Sequence, residues 1–213
     1  SYGRYGTQVG VHRLLEAFAR HGVRATFFVP AWEIERSPEL MEEIAGAGHE
    51  LAAHGYANER FCDLSDDEQH AVLERSEAIF EHAFGHKPTG FRAPSGAPEL
   101  NTGRAVLAIP GPLMSARTRA ILIERGYEYD SGYCDDDLPY LIEEGAGRLV
   151  ELPVFPTASD RHYYALHRDP VVVANAWKEE LSAMHEAGGL FNLTLHPRGD
   201  FGSGRAVRVR AVD

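Results

Sequence analysis

Short apolar, β-branched runs alternate with amphipathic helical segments along this chain, and that alternation restricts its fold more than any other feature. Ala25-Thr26-Phe27-Phe28-Val29 is closed by Pro30. A continuous run of this kind suits a parallel strand covered on both faces. Ahead of it Val11, Leu14, Leu15 and Phe18 repeat at helical spacing through His21, and Gly22 stands where a C-terminal cap is expected. The unit then recurs. Ser37-Pro38-Glu39 opens a helix carrying Leu40, Met41 and Ile44, which Gly46 and Gly48 end ahead of a strand over 49–53. Ser65 and Glu68 have capping-box spacing at the head of a helix through Phe84, and Gly90-Phe91-Arg92 follows as a third strand. The pattern further predicts a helix over 115–125, strands over 127–130 and 149–154, a helix over 170–187 and a last apolar strand over 190–195. Strands separated by helices imply right-handed crossovers and a parallel α/β sheet, open or closed.

With 213 residues and 44% hydrophobic content, one sizeable core is within reach, and a single domain over 1–213 is expected. The formal net charge of -11 leaves no basic stripe for phosphate backbones or anionic lipid, which argues against nucleic acid and membrane surfaces as partners. A small-molecule or glycan substrate fits better, and a homo-oligomer is compatible with the same composition. The longest apolar stretches, 25–31 and 171–174, fall far short of the roughly 18–20 residues of a membrane span. Neither a basic start nor an apolar signal core follows Ser1, so a cytoplasmic protein is expected. Cys62 and Cys134 are read as reduced thiols, since one pair makes no disulfide framework and no four-cysteine metal site.

Polar residues collect just past the apolar runs: His54, Arg92, Asp130 and His196. In a barrel of parallel strands the chemistry gathers at the carboxyl ends of strands, and no GxGxxG or GxxxxGK[ST] signature argues for a nucleotide-binding sheet instead. Taken singly most of these are ordinary, although Arg92, a cation at a barrel strand end, can hold an ionised catalytic carboxylate in place. A strand-end histidine is more often a structural donor, Asp130 serves equally as a loop cap, and Glu151 in its apolar strand fits a structural ion pair as well as catalysis. Asp135-Asp136-Asp137 lacks the glycine and terminal glutamate of a calcium loop and reads as a solvated turn. The connection 156–169 is long and carries Asp160, His162, Tyr163 and Tyr164, as a substrate wall would. Residues 101–114, with Gly103, Pro110, Gly111 and Pro112, read as irregular, and no function is assigned to them.

Taken together and in order, several segments carry a resemblance. They are Tyr5-Gly6 with 9–15, Gly48-His49-Glu50, His54-Gly55-Tyr56, Arg92-Ala93-Pro94, Tyr129-Asp130-Ser131, Glu151-Leu152-Pro153-Val154, and Leu195-His196-Pro197 with Gly204-Arg205. The chain resembles the polysaccharide deacetylases with a NodB-homology domain, carbohydrate esterase family 4, in the branch of peptidoglycan deacetylase-like proteins and metal-independent allantoinases. The resemblance implies a deformed parallel (β/α) barrel of about seven strands, the first expected ahead of Ser1. It also implies hydrolysis of a carbon–nitrogen bond, most directly N-deacetylation of a sugar or glycan. In the metal-dependent members an aspartate and two histidines hold zinc or a similar divalent ion, a second aspartate is the base and a late histidine the acid, so that the ion activates water and steadies the oxyanion.

Carried over residue by residue, His54 matches the first metal histidine, His196 the acid, and Arg92 the cation that orients the base. Asn58 stands where the second metal histidine is expected, and its amide oxygen is a poorer ligand, so zinc is expected to bind weakly or not at all. Tyr56, Pro94, Asp160 and Tyr163 are the expected substrate contacts. Two rival readings stay open: a metal-independent hydrolase of cyclic amides, and a catalytically silent glycan-binding module.

Overall fold

Capping chemistry sets boundaries of the longest helices in the computed structural model, which describes residues 4–94 and 116–213; the stretch 101–114, expected from sequence to be irregular, lies outside them. Helix α1 (Val11–His21) buries Leu14, Leu15 and Phe18, and Gly22 turns the chain out at φ 62, a left-handed conformation that glycine adopts without a Cβ clash. Helix α4 (Asp66–Phe84) opens on a complete capping box: the Ser65 hydroxyl accepts the Glu68 N–H, and the Glu68 carboxylate accepts the Ser65 N–H at 2.8 Å. At the head of helix α7 (Pro170–Ala187) the Asp169 carboxylate accepts the Val171 N–H at 2.8 Å, and Pro170 occupies a position whose N–H would have no helical partner.

The chain divides into two compact units, Thr26–Pro153 and Ser1–Ala25 with Val154–Asp213. The first unit is a mixed α/β layer arrangement around a six-stranded sheet. Its strands are β1 (Thr26–Val29), β2 (Glu50–Ala53), β3 (Gly90–Phe91), β4 (Tyr129–Asp130), β5 (Tyr140–Glu144) and β6 (Gly147–Glu151), in the order β1-β2-β3-β4-β6-β5. All neighbours pair in parallel except β5 with β6. The register sets Ala53 beside Phe91, Phe91 beside Asp130 and Asp130 beside Glu151, so His54, Arg92, Ser131 and Leu152 leave the sheet at one level. Helices α2 (Ala31–Arg36), α3 (Pro38–Gly46), α4 and α5 (Ala116–Glu124) complete the unit. Its core includes Ala53, Phe61, Leu73, Phe91, Ile121, Leu122 and Leu149, with the Phe61 and Phe91 rings edge to face at 5.0 Å.

Two elements here escape the sequence reading. Strand β5 has an edge-strand composition, with Leu141 48% exposed and Glu143 and Glu144 facing solvent, so a search for buried apolar runs passes over it. Helix α2 is too short for helical periodicity to register. Asp135–Asp137 is the exposed turn ahead of β5, as expected. Cys62 and Cys134 are both free and exposed.

The second unit holds α1, α6 (Asp160–Tyr164), α7, α8 (Ala206–Val209) and a π-helical turn over Gly6–Gly10. Tyr164, Val173 and Trp177 form its buried cluster, with Leu193 and Leu195 packed against it. The strand expected over 190–195 is not formed. Thr194 makes one isolated parallel bridge, to Ser159, because its neighbour is the 3₁₀ turn Pro156–Ala158, which supplies only the Ala158 carbonyl and then the Asp160 N–H for pairing. Among the described residues no helix is long and apolar enough to cross a membrane.

Candidate active site

His196 lies in the second unit just past Thr194, and its ring orientation is determined by an acid 36 positions earlier. Asp160 is completely buried. One of its oxygens accepts the His196 Nδ1–H at 2.6 Å; the other accepts the His196 backbone N–H at 2.7 Å and the Ser203 N–H at 2.8 Å. Because the second Asp160 oxygen already takes two backbone N–H groups, the first is left to accept the ring N–H, which places the proton on Nδ1 and leaves Nε2 as the working nitrogen. The His196 side chain keeps 32% of its surface. The Phe201 ring stands edge-on to the imidazole at 5.4 Å, and Arg161 and Arg198 both stack over that phenyl ring.

In the first unit His54 and Arg92 meet. The Nδ1–H of His54 donates to the Arg92 carbonyl at 2.7 Å, so the acceptor lone pair of the neutral ring is on Nε2, the arrangement found in histidines that bind metals or substrates. The loop that follows is tightly tied: Gly55 turns at φ 68, Glu59 accepts the Tyr56 and Ala57 N–H groups, and the Gly55 and Tyr56 carbonyls accept the Ala31 and Trp32 N–H groups at the start of α2. The Arg92 guanidinium lies over the Phe28 ring at 4.3 Å and donates to the Ser131 carbonyl and hydroxyl, each at 2.7 Å. Burial pulls its pKa down to about 10 against the upward pull of Asp130, Tyr129 and Glu151, so it remains a cation at neutral pH.

Beside Arg92 lie two fully buried acids from neighbouring strands, Asp130 and Glu151. One Glu151 oxygen accepts the Gly132 and Tyr133 N–H groups, both at 3.0 Å. Its other oxygen, and both oxygens of Asp130, have no donor among the described groups. Two ionised carboxylates in that position would repel each other with nothing between them. A proton on Asp130, shared with Glu151, removes that repulsion. Burial, and then the Glu151 charge, push Asp130 well above the usual carboxylate range, whereas the backbone donors at Gly132 and Tyr133 limit the rise at Glu151. The result is one anion, Glu151, close to one cation, Arg92.

The residues expected to touch substrate divide. Tyr56 and Tyr163 keep partial exposure, but Tyr56 is held under Arg75, with its hydroxyl donating to Glu35 at 3.1 Å, and Tyr163 packs edge-on against Trp177. Pro94 and Asp160 are buried; Pro94 packs on the Gly55 turn, and Asp160 holds the His196 ring. Sequence reasoning did not foresee Ser203 or the pairing of Asp130 with Glu151. An acid inside an apolar strand was the available signal for Glu151, and nothing local marks Ser203. Asn58 is exposed at φ 65, a conformation asparagine tolerates well. Among the described residues no group of three or more His, Cys, Asp or Glu side chains could hold a metal ion, so these residues do not by themselves complete a zinc site.

A sequence model of the family described as polysaccharide deacetylase matches residues 5–127. A peptidoglycan deacetylase of Helicobacter pylori is 31% identical over 146 residues, which is 68% of this chain and 44% of the relative. Among solved structures, a protein of Mycobacterium smegmatis assigned to the polysaccharide deacetylases superposes with a TM-score of 0.84 at 36% identity, over 98% of this chain and 69% of that one. The allantoinase PuuE shares the fold, with a TM-score of 0.79 at 21% identity over 98% of this chain and 65% of its own. The chain spans less than half the length of the curated relatives it matches.

Proposed function

The chain belongs to the polysaccharide deacetylase family, and on that premise we propose that it hydrolyses a carbon–nitrogen bond, the N-acetyl amide of a sugar or glycan. The observation that carries this reading is the His196–Asp160 pair. An imidazole whose Nδ1–H is held by a buried carboxylate presents Nε2 in one fixed direction, and from the protonated ring that nitrogen hands its proton to the amine that leaves as the tetrahedral adduct of water and amide collapses. Arg92 and the Asp130–Glu151 pair keep the Arg92 carbonyl, and with it the His54 ring, in one orientation. His54 Nε2 is the contact to substrate or to a divalent metal, zinc by the family resemblance. Names of relatives support the choice of glycan, since the Helicobacter pylori protein is a peptidoglycan deacetylase.

A second reading, metal-independent opening of a cyclic amide, is favoured by Asn58, an exposed amide where the resemblance expects a metal histidine. The deciding experiment measures metal content by elemental analysis, acetate release from an N-acetylated glycan and ring opening of a small cyclic amide on one preparation. The expected result is acetate release. Turnover of the cyclic amide by metal-free protein would transfer the assignment to the second reading, and glycan binding with neither activity would make the chain a silent module. Wild-type protein is expected to carry substoichiometric zinc. Asn58→His, at a left-handed position that histidine also tolerates, is expected to raise zinc affinity about tenfold by adding a nitrogen donor, an increase that His54→Ala removes.

A further inference from the structure

We propose that the N-terminal motif Tyr5, Gly10 and Arg13 is a positioning device for His196, acting on the return loop 197–204; the proposal deepens the reading of His196 as the acid and rests on it. Arg13 Nη1 donates to the Tyr5 hydroxyl at 2.7 Å and to the Gly204 carbonyl at 3.1 Å, and the Tyr5 hydroxyl donates to the same carbonyl at 3.3 Å. Gly204 follows Ser203, whose N–H is one of the three donors holding Asp160, and Asp160 holds the His196 ring. The anchored Gly204 carbonyl lies two peptide units beyond the Ser203 N–H, so it holds the short segment whose N–H orients the carboxylate that orients the imidazole.

Glycines make this contact backbone to backbone. A β-carbon on Gly10 would overlap the Pro197 carbonyl oxygen and stand 2.8 Å from its carbon and 3.2 Å from the Gly204 Cα. On Gly204 it would overlap the same carbonyl oxygen and stand 2.8 Å from the Gly10 Cα; on Gly202 it would overlap the His196 carbonyl oxygen. None of the three has a positive φ, so glycine is needed here for space and not for conformational freedom. Gly10 ends a π-helical turn, an irregularity that occurs frequently at functional sites. Backbone this close at Gly10 and Gly204 packs tightly against the carbonyl of Pro197, the residue after His196.

The test compares Gly10→Ala, Arg13→Met, Arg13→Lys and Tyr5→Phe with Gly46→Ala, whose added methyl would meet open space. The first readout is the downfield Nδ1–H proton of His196 in histidine-labelled protein, assigned by its loss in His196→Ala and independent of any turnover. Gly10→Ala and Arg13→Met are expected to shift or broaden it, Arg13→Lys to restore part of the signal, and Gly46→Ala to leave it in place. The second readout is kinetic: kcat should fall about tenfold or more with KM changed less than about twofold, the mark of a displaced proton donor. An unmoved His196 resonance in folded Gly10→Ala and Arg13→Met overturns the proposal. Should Gly10→Ala fail to fold, Arg13→Met and Tyr5→Phe, which only remove hydrogen bonds, decide it by the same resonance. Resonance shifts in a protein that hydrolyses nothing would uphold the clamp while sinking the proposed function.

Discussion

Asp160→Asn is expected to lower kcat by about 10²–10⁴-fold, close to the loss in His196→Ala, with little change in KM. The reason is the geometry of the three donors. An amide has one accepting oxygen, and the two backbone N–H groups of His196 and Ser203 converge on a single Asp160 oxygen at 2.7 and 2.8 Å. The oxygen of the introduced amide would take that place and its NH₂ would then face Nδ1 of His196. The ring would be driven to the tautomer with its proton on Nε2 and would lose the acceptor that fixes its Nδ1–H, so the proton donor is no longer held in place while the fold is kept. His196→Ala leaves the backbone donors on Asp160 intact, and its melting temperature is expected to stay close to wild type. Rates and melting curves on both variants check this. Full activity in Asp160→Asn would remove Asp160 from the mechanism, and equal collapse of stability in both would make the pair structural.

Glu151→Ala is expected to cost about 3–5 kcal/mol of stability, whereas Asp130→Asn should cost less than about 1.5 kcal/mol. Removing Glu151 strands the Gly132 and Tyr133 N–H groups and the Asp130 proton in a buried place and leaves Arg92 without its anion. Asparagine in place of Asp130 keeps the one property assigned to that residue, a neutral side chain beside Glu151. The pH dependence carries a definite sign. Native Asp130 holds its proton well above the usual range because of burial and the Glu151 charge, and Glu151 is shifted in the same direction. The native state therefore binds more protons than the unfolded chain above the unfolded aspartate pKa of about 3.9. The stability this supplies is complete below that value and is lost as pH rises toward the native value. Denaturant melts from about pH 4 upward should show the advantage of wild type over Asp130→Asn shrinking as pH rises. A pH-independent difference would mean that Asp130 is ionised in the native state.

Much of this protein was legible from its residues alone, wherever the signal is local. Caps at Gly22 and at Ser65 with Glu68 define helices through hydrogen bonds within a few residues of each other, and the apolar runs at 26–29 and 50–53 identify parallel strands. The end of an apolar run is a local property too, which is why His54, Arg92 and His196 could be singled out and why their order carried the family resemblance. Tertiary structure decided the partners. Parallel register puts Asp130 beside Glu151, far apart in the chain, and turns two ordinary acids into a pair sharing a proton. The backbone path puts Asp160 under His196, so a residue expected to face substrate became the group that orients the acid. It also brings Gly10 against Gly204. Edge strand β5 and the unformed strand over 190–195 follow the same rule, since strand formation depends on which backbone lies alongside. Periodicity reports what a segment can bury; burial, protonation and pairing depend on distant segments that no local pattern encodes.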